Sequence, residues 1–346
     1  TPFTIGSTFD RTNATPNVLT LTKLERKDVT GTEGMHILAA PVNLQPDGSS
    51  NSTWTISGSD ILRMNAPLGA TTSSVTFVKL GTGTFNMYYR SPTFTGPWII
   101  REGTVTASYS STINYDQNGT MRGNATIGGT SVPALLAQSQ NALFGNLTVT
   151  VLTNGTFTAS GASNGRVDTV HVKEGGIATI SDPYFYCYKP LLTGGKITAV
   201  TSGRFYNGGY GQKLESLVSD RTAFFNCEMN LSTYYDAYVR VADGAPAIDL
   251  DLSAGSIYGN AKTLSKEGSG TVVFGKSSSH YNSDGTNSLG FIIKAGTAIF
   301  NNTNGSAVGK NPTQVNGGAT LGGTGFLGGP SAYPNPYLLA KASSSS

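Results

Sequence analysis

Residues 264–274 read Leu-Ser-Lys-Glu-Gly-Ser-Gly-Thr-Val-Val-Phe, and residues 79–85 repeat the same Lys-x-Gly-x-Gly-Thr pattern as Lys-Leu-Gly-Thr-Gly-Thr-Phe. A second matching block follows each of them, Phe-Ile-Ile-Lys-Ala-Gly-Thr-Ala at 291–298 and Trp-Ile-Ile-Arg-Glu-Gly-Thr-Val at 98–105. Each block is a short β-branched or aromatic run, a glycine turn and a second such run. This pattern predicts short β-strands joined by tight turns.

The same strand, glycine and strand order recurs elsewhere, at residues 149–157, 170–177 and 197–205. Successive turn glycines are 20 residues apart from Gly155 to Gly175 and 28 apart from Gly175 to Gly203. This is the size of one turn of a parallel β-solenoid with loop insertions, for which we expect about 20 to 25 residues per turn. A single turn cannot bury its few apolar side chains, but stacked turns share one continuous core. We therefore predict an all-β solenoid.

Composition supports this fold class and argues against several others. Glycine makes up 44 of 346 residues and charged residues only 12%, which disfavours coiled coils and charge-driven disorder. The net charge of +3 is scattered along the chain, so no basic stripe for nucleic acid is expected. Since no apolar run approaches about 20 residues, we expect no membrane insertion. The first residues lack an initiating Met and the basic and apolar regions of a signal peptide. We therefore expect a secreted protein whose signal peptide has been removed.

The two Lys-x-Gly-x-Gly-Thr windows and the blocks that follow them resemble the autotransporter-associated β-strand repeat of large secreted and surface proteins of bacteria. The match covers roughly a quarter of the chain, and the window around Lys266 is the stronger one. The resemblance implies a right-handed parallel β-helix with an extracellular, structural or adhesive role. It implies no catalytic residues.

Four departures from regular turns are expected within one solenoid domain spanning residues 1–346. Residues 131–145 begin with Ser and Pro, contain good helix formers and end with Gly, which predicts one short helix. Residues 181–240 are rich in aromatics and are predicted to form an insertion. Residues 1–24 and 330–346 are predicted to be extended terminal segments.

The aromatic-rich segment holds both cysteines and most candidate interaction residues. Cys187 and Cys227 are 40 residues apart without metal-ligand spacing, so they form either a single disulfide or two buried free thiols. Tyrosines supply a large apolar face with a polar tip, so they predict an interface or a sugar-stacking surface. The alternative is a set of aromatic ladders inside the solenoid. The candidate surface comprises Tyr184, Tyr186, Tyr188, Tyr206, Tyr210, Tyr234, Tyr235 and Tyr238.

We expect no catalytic, cofactor-binding or metal-binding residues. The three histidines, His36, His171 and His280, have no ligand neighbours at metal-binding spacing. Asp249 and Asp251 alternate along one strand and could bind Ca²⁺ or act on glycans, but carboxylates on a solvated face are the commoner arrangement.

An open solenoid end offers unpaired backbone groups, and matching ends form a head-to-tail contact that propagates. We therefore expect an extracellular homopolymer, a subunit of a filament or surface layer whose terminal segments join neighbours by strand addition. Two alternatives remain open: a surface adhesin that binds glycans through its tyrosines, and a β-helix polysaccharide lyase or hydrolase that uses Asp249 and Asp251.

Overall fold

The computed structural model confirms the all-β parallel solenoid. It describes residues 4–5, 18–26, 34–88, 94–108, 121–139, 142–143, 145–161, 166–181, 184–200, 203–206, 213–231, 235–259, 263–276, 279–280, 290–307, 313–327 and 338–340. Every regular element in these ranges is a β-strand. Among the same residues, no helix has the length and apolar character needed to cross a bilayer.

The chain divides into two compact units, residues 1–168 with 176–178, and residues 169–175 with 179–346. The first unit contains β1 (Thr4–Ile5), β2 (Leu19–Leu21), β3 (Lys23–Arg26), β4 (Met35–Leu38), β5 (Val42–Leu44), β6 (Asn51–Ile56), β7 (Ile61–Met64), β8 (Leu68–Ala70), β9 (Thr76–Leu80), β10 (Thr84–Met87), β11 (Trp98–Ile100), β12 (Gly103–Ala107), β13 (Ala125–Ile127), β14 (Ala134–Ser139), β15 (Thr148–Val151) and β16 (Gly155–Ser160). The division falls within β17 (Arg166–Lys173) and β18 (Ile177–Ile180).

The second unit contains β19 (Phe185–Thr193), β20 (Lys196–Ala199), β21 (Arg204–Tyr206), β22 (Lys213–Ser216), β23 (Ala223–Asn226), β24 (Glu228–Leu231), β25 (Ala237–Val241), β26 (Leu250–Leu252), β27 (Ser256–Gly259), β28 (Leu264–Glu267), β29 (Thr271–Phe274), β30 (Ser279–His280), β31 (Phe291–Ile293), β32 (Thr297–Phe300), β33 (Thr313–Val315), β34 (Thr320–Gly322) and β35 (Leu338–Ala340).

Parallel ladders stack the turns within each unit. In the first unit one ladder runs β1, β4, β7, β10, β12, β14, β16, a second runs β3, β6, β9, β11, β13, β15, and a third runs β2, β5, β8. In the second unit one ladder runs β20, β23, β26, β29, β32, β34. The long strand β19 pairs with both β21 and β22, and two further ladders start from it, β21, β24, β27, β30 and β22, β25, β28, β31, β33, β35.

The register of the paired strands gives the number of residues in one turn of the solenoid. Thr84 pairs with Thr104, 20 residues later, whereas Lys196 pairs with Phe224, 28 residues later. The shorter turn agrees with the expected length, and longer turns carry larger loops.

Alternating side chains fill the interior of each unit. In the first unit Trp54 packs edge-on against Phe77 and Phe85, with ring centroids 5.3 and 5.4 Å apart. In the second unit Phe185, Phe205 and Phe225 stack through successive turns at 5.5 and 5.6 Å. All six rings are fully buried. The interior aromatic ladder considered for the aromatic-rich segment is therefore present, and the first unit contains a similar aromatic cluster.

The helix expected at residues 131–145 is wrong, because Ala134–Ser139 form β14. Ala134, Leu136 and Gln138 alternate inward and are buried, while Leu135 and Ala137 face outward. β14 pairs in register with β12 on one side and β16 on the other. These ladders satisfy the backbone on both sides, and this tertiary pairing outweighs the local helix propensity.

The insertion expected at residues 181–240 is also wrong for the described residues. β19 to β24 and most of β25 lie in this segment, and all of them belong to the parallel ladders. The segment therefore forms solenoid turns. The predicted terminal segments are described only in part: β1, β2 and the start of β3 lie within 1–24, and β35 lies within 330–346. Residues 1–3, 6–17, 330–337 and 341–346 of these segments lie outside the described residues.

Candidate functional site

A fully buried lysine, Lys266, marks one corner of the second unit. Its Nζ donates to the carbonyl oxygens of Gly268 at 2.5 Å, Gly270 at 2.6 Å and Ala295 at 2.9 Å. Ala295 belongs to the following turn of the solenoid, so the ammonium joins two turns. We call Lys266, Gly268, Gly270, Ala295 and Gly296 the Lys266 corner.

The first unit contains an equivalent corner around Lys79. Its buried Nζ donates to the carbonyl oxygens of Leu80 at 2.9 Å, Gly81 at 2.6 Å and Glu102 at 3.2 Å. Gly81 corresponds to Gly268 in the repeated pattern, and Glu102 corresponds to Ala295. We call Lys79, Leu80, Gly81, Glu102 and Gly103 the Lys79 corner. The two matching sequence windows thus have matching three-dimensional roles.

The glycines of both corners are required by backbone geometry. Gly103 and Gly296 both have φ +66°, in the left-handed region that favours glycine. A Cβ at Gly296 would lie 2.5 Å from the carbonyl oxygens of Gly268 and Gly270 and from Lys266 Nζ. A side chain at this position would therefore collide with the carbonyls that hold the ammonium.

Burial shifts the titration of both lysines. It lowers the pKa of Lys79 to about 8, with the Glu102 carboxylate opposing the shift. It also lowers the pKa of Lys266 to about 8, with Asp249 and Asp243 opposing. The carbonyl acceptors favour the charged form. Both lysines are therefore mainly ammonium ions at neutral pH.

The Asp249 carboxylate binds two backbone N–H groups near the Lys266 corner. It is 5% exposed, and its Oδ1 and Oδ2 each accept a backbone N–H at 2.7 Å, from Gly244 and Thr271 respectively. Asp251 accepts from the backbone N–H and the hydroxyl of Ser253. The expected solvated placement of Asp249 is therefore wrong, because backbone amides bind its carboxylate inside the fold.

A row of alternating charges crosses five successive turns of the second unit. Glu215 Oε2 lies 2.8 Å from Lys189 Nζ, and Glu267 lies 2.8 Å from Arg240 and 2.9 Å from Lys294. Glu215 also lies 3.5 Å from Arg240. We call these five residues the charge ladder. Its alternating signs make each contact between turns attractive.

Tyr238 lies beside the charge ladder. Its hydroxyl donates to Glu215 Oε1 at 2.9 Å, and the Arg240 guanidinium lies 4.6 Å from its ring centre. Burial raises the pKa of Tyr238 to about 12, and the Glu215 carboxylate adds to this shift. Tyr238 therefore supports the charge ladder through its hydroxyl and its ring.

A set of outward tyrosines lies on β19, β21 and β27 and directly before β19. Tyr186 and Tyr206 are register partners whose rings meet edge-on at 4.8 Å, and Tyr184 lies 6.5 Å from Tyr206. Further along the same ladder, Tyr206 pairs with Asn230 and Asn230 with Tyr258. Tyr184 is 53% exposed and Tyr258 is 44% exposed.

An ion pair accompanies these tyrosines. Arg204 Nε lies 2.7 Å from Glu228 Oε1, and the Arg204 guanidinium lies 5.7 Å from the Tyr258 ring centre. We call Tyr184, Tyr186, Tyr206, Tyr258, Arg204, Glu228 and Asn230 the tyrosine face. The sequence prediction missed Tyr258, although its alternation within β27 is the signal that could have found it.

The remaining candidate tyrosines are placed as follows. Tyr188 is half-buried in β19, and Tyr235 is 45% exposed just before β25. Tyr210 and Tyr234 lie outside the described residues. The candidate surface is thus divided: Tyr184, Tyr186 and Tyr206 share one described face, Tyr188 follows Tyr186 by two residues on the same side of β19, and Tyr238 lies beside the charge ladder.

The candidate disulfide is absent, because Cys187 and Cys227 are both buried free thiols. Cys187 lies in β19 and Cys227 directly precedes β24, with β21 between these two strands in the ladder. Strands two steps apart are separated by about 9.6 Å, beyond the Cα distance that a disulfide spans. Cys227 instead donates to the Gly203 carbonyl at 3.3 Å, and burial raises its pKa to about 12.

Two histidines are placed by the structure. His36 lies beside buried Asp60, at 3.8 Å between Nε2 and Oδ1, and His171 Nε2 lies 2.9 Å from the Thr193 hydroxyl. The side chain of His280 lies outside the described part of the chain. Within the described ranges, no three His, Cys, Asp or Glu side chains are grouped as a metal site requires.

Comparison with known proteins found no matching family model, no matching curated protein and no matching solved structure. The likeness to the autotransporter-associated repeat therefore remains a prediction from the two sequence windows.

Proposed function

We propose that this chain is a structural β-solenoid of a secreted or cell-surface protein, which assembles with copies of itself into a filament or surface layer. The lysine corners are the observation that carries the proposal. Two buried ammonium ions, one in each unit, bind backbone carbonyls across successive turns. Such contacts stabilise stacking, and stacking is the property that a structural solenoid must supply.

Assembly would use strand edges at the ends of the ladders. Among the described residues, β2 pairs with β5 alone. Leu19 donates its N–H to Pro41 and Leu21 accepts from Gln45, so the backbone N–H and C=O of Thr20 point away from β5. This arrangement favours addition of a strand from a second copy in a head-to-tail contact.

The test is a proline at this edge. Thr20→Pro removes the outward N–H and places a ring against an incoming strand, while the described bonds to β5 remain. We expect wild-type protein to form polymers in negative-stain electron micrographs and to sediment with a mass that grows with concentration. We expect T20P to sediment as a monomer with unchanged circular dichroism.

The matched control is Thr20→Val, which keeps the N–H and the strand propensity and should polymerise as wild type does. A wild-type protein that stays monomeric at every concentration would contradict the proposal. Polymers formed equally by T20P and T20V would contradict the role of this edge.

The two alternatives have unequal support. An adhesin role is favoured by the tyrosine face, because Tyr184 and Tyr258 expose large aromatic side chains on the second unit. A lyase or hydrolase that uses Asp249 and Asp251 is less favoured, because both carboxylates accept hydrogen bonds from nearby backbone amides.

A further inference from the structure

We infer that the tyrosine face holds a binding site for a neutral polysaccharide, centred on Asn230. Tyr206, Asn230 and Tyr258 are register partners on three successive strands, β21, β24 and β27. Neighbouring strands are about 4.8 Å apart, so the two tyrosines stand about 9.6 Å apart with the shorter asparagine between them. The three residues thus form a notch with aromatic sides and an amide floor.

The polar groups of this notch are free to bind a ligand. Among the described residues, the Asn230 amide and the hydroxyls of Tyr206 and Tyr258 have no hydrogen-bond partner. An amide offers two donors and one acceptor, and each phenol offers one donor. Sugar hydroxyls both donate and accept, and the C–H faces of a pyranose stack on aromatic rings. The notch supplies both kinds of contact.

The balanced charges of the tyrosine face favour a neutral ligand over an anionic one. Arg204 and Glu228 are the charged residues of the tyrosine face, and they neutralise each other at 2.7 Å. A polyanion would gain little net attraction from Arg204 and would meet the Glu228 carboxylate beside it, because the two charges cancel. A ligand rich in hydroxyl groups can accept from Arg204 and donate to Glu228 without breaking the pair.

The neighbouring tyrosines favour a chain over a single sugar. Tyr186 lies 4.8 Å from Tyr206 on the turn before it, and Tyr184 extends the exposed aromatic area. Successive turns repeat at about 4.8 Å, close to the length of one pyranose in an extended chain. A polysaccharide laid across the strands would therefore contact Tyr186, Tyr206, Asn230 and Tyr258 with four successive sugars.

Native affinity electrophoresis of the full chain tests this site. The gels contain hydroxyethyl cellulose, glucomannan or galactomannan as neutral probes, and polygalacturonate as the anionic probe. We expect at least one neutral polymer to retard the wild-type protein, with little change when salt is raised. Asn230→Ala and Tyr258→Ala should each raise the dissociation constant about tenfold, since the site loses its amide or one wall.

Tyr88→Ala is the matched control, because Tyr88 is 41% exposed on the first unit. It should bind as wild type does. Tyr258→Phe keeps the aromatic wall of the notch and should retain most of the binding. This variant still tests the role of the ring if Y258A fails to fold. Failure of every neutral probe to retard the protein, retardation by polygalacturonate alone, or wild-type binding by N230A would overturn the inference.

The site does not depend on the assembly proposal. The T20P variant should bind the neutral polymer with wild-type affinity per chain, so loss of polymers and loss of binding are separate results.

Discussion

At the scale of single residues, the lysine corners show a limit of sequence reasoning. The repeated Lys-x-Gly-x-Gly-Thr windows predicted the solenoid, but charged residues are almost never fully buried unless paired, so the pattern gave no reason to place Lys79 and Lys266 inside. Only the turn geometry, which aims three carbonyl oxygens at one point, makes an interior ammonium favourable.

Replacing Lys266 should destabilise the second unit strongly. Lys266→Met keeps the length of the side chain but leaves three carbonyls without this donor, and we expect a loss of about 2–4 kcal/mol in the free energy of unfolding. The control is Lys294→Met, because Lys294 is 47% exposed and its loss should cost less than about 1 kcal/mol. Chemical denaturation followed by circular dichroism measures both. Equal losses in the free energy of unfolding for the two variants would contradict the stabilising role of the Lys266 corner.

The same lysine predicts a pH dependence. Burial lowers the pKa of Lys266 to about 8, whereas an unfolded lysine titrates near 10.4. Between these values the unfolded chain holds more protons than the folded chain, so this group makes the free energy of unfolding rise as pH increases. Denaturation curves from pH 7 to pH 10 should show this rise in wild type and a smaller rise in K266M. Identical slopes would show that the buried lysine does not titrate in this range.

At the scale of elements, β14 and Gly296 illustrate what local pattern can and cannot predict. Residues 131–145 carry helix start and stop signals, yet the sequence cannot reveal that β12 and β16 flank the segment on both sides. The turns at Gly175 and Gly296 were predicted correctly, because both glycines have a positive φ, which depends on local geometry.

Gly296→Ala should therefore be costly. Its φ of +66° and the crowding carbonyls of Gly268 and Gly270 predict a loss of at least about 2 kcal/mol in the free energy of unfolding. Gly48→Ala is the control, because no atom lies within 4 Å of a Cβ at that position. It should change stability by less than about 0.5 kcal/mol. Thermal denaturation compares the two variants, and a harmless G296A would argue against the described turn.

At the scale of the whole molecule, both units repeat one architecture, and this was predictable because the glycine spacing recurs in both halves of the sequence. The division into two units was not predictable. The free thiols were an open alternative, since the register that separates Cys187 from Cys227 depends on the sizes of intervening loops. The Asn230 notch was missed for the same reason, as its three residues come from three different turns.

Parallel, in-register stacking of turns is the claim on which the rest depends, and cysteine cross-linking tests it most directly. Thr84 and Thr104 are register partners on β10 and β12, so their Cα atoms should lie about 4.8 Å apart, within disulfide range. In a background with Cys187 and Cys227 replaced by Ala, mild oxidation should cross-link T84C with T104C rapidly. T84C with T106C, two residues out of register, should cross-link much more slowly. Equal rates, or faster cross-linking of the second pair, would contradict the stacked solenoid.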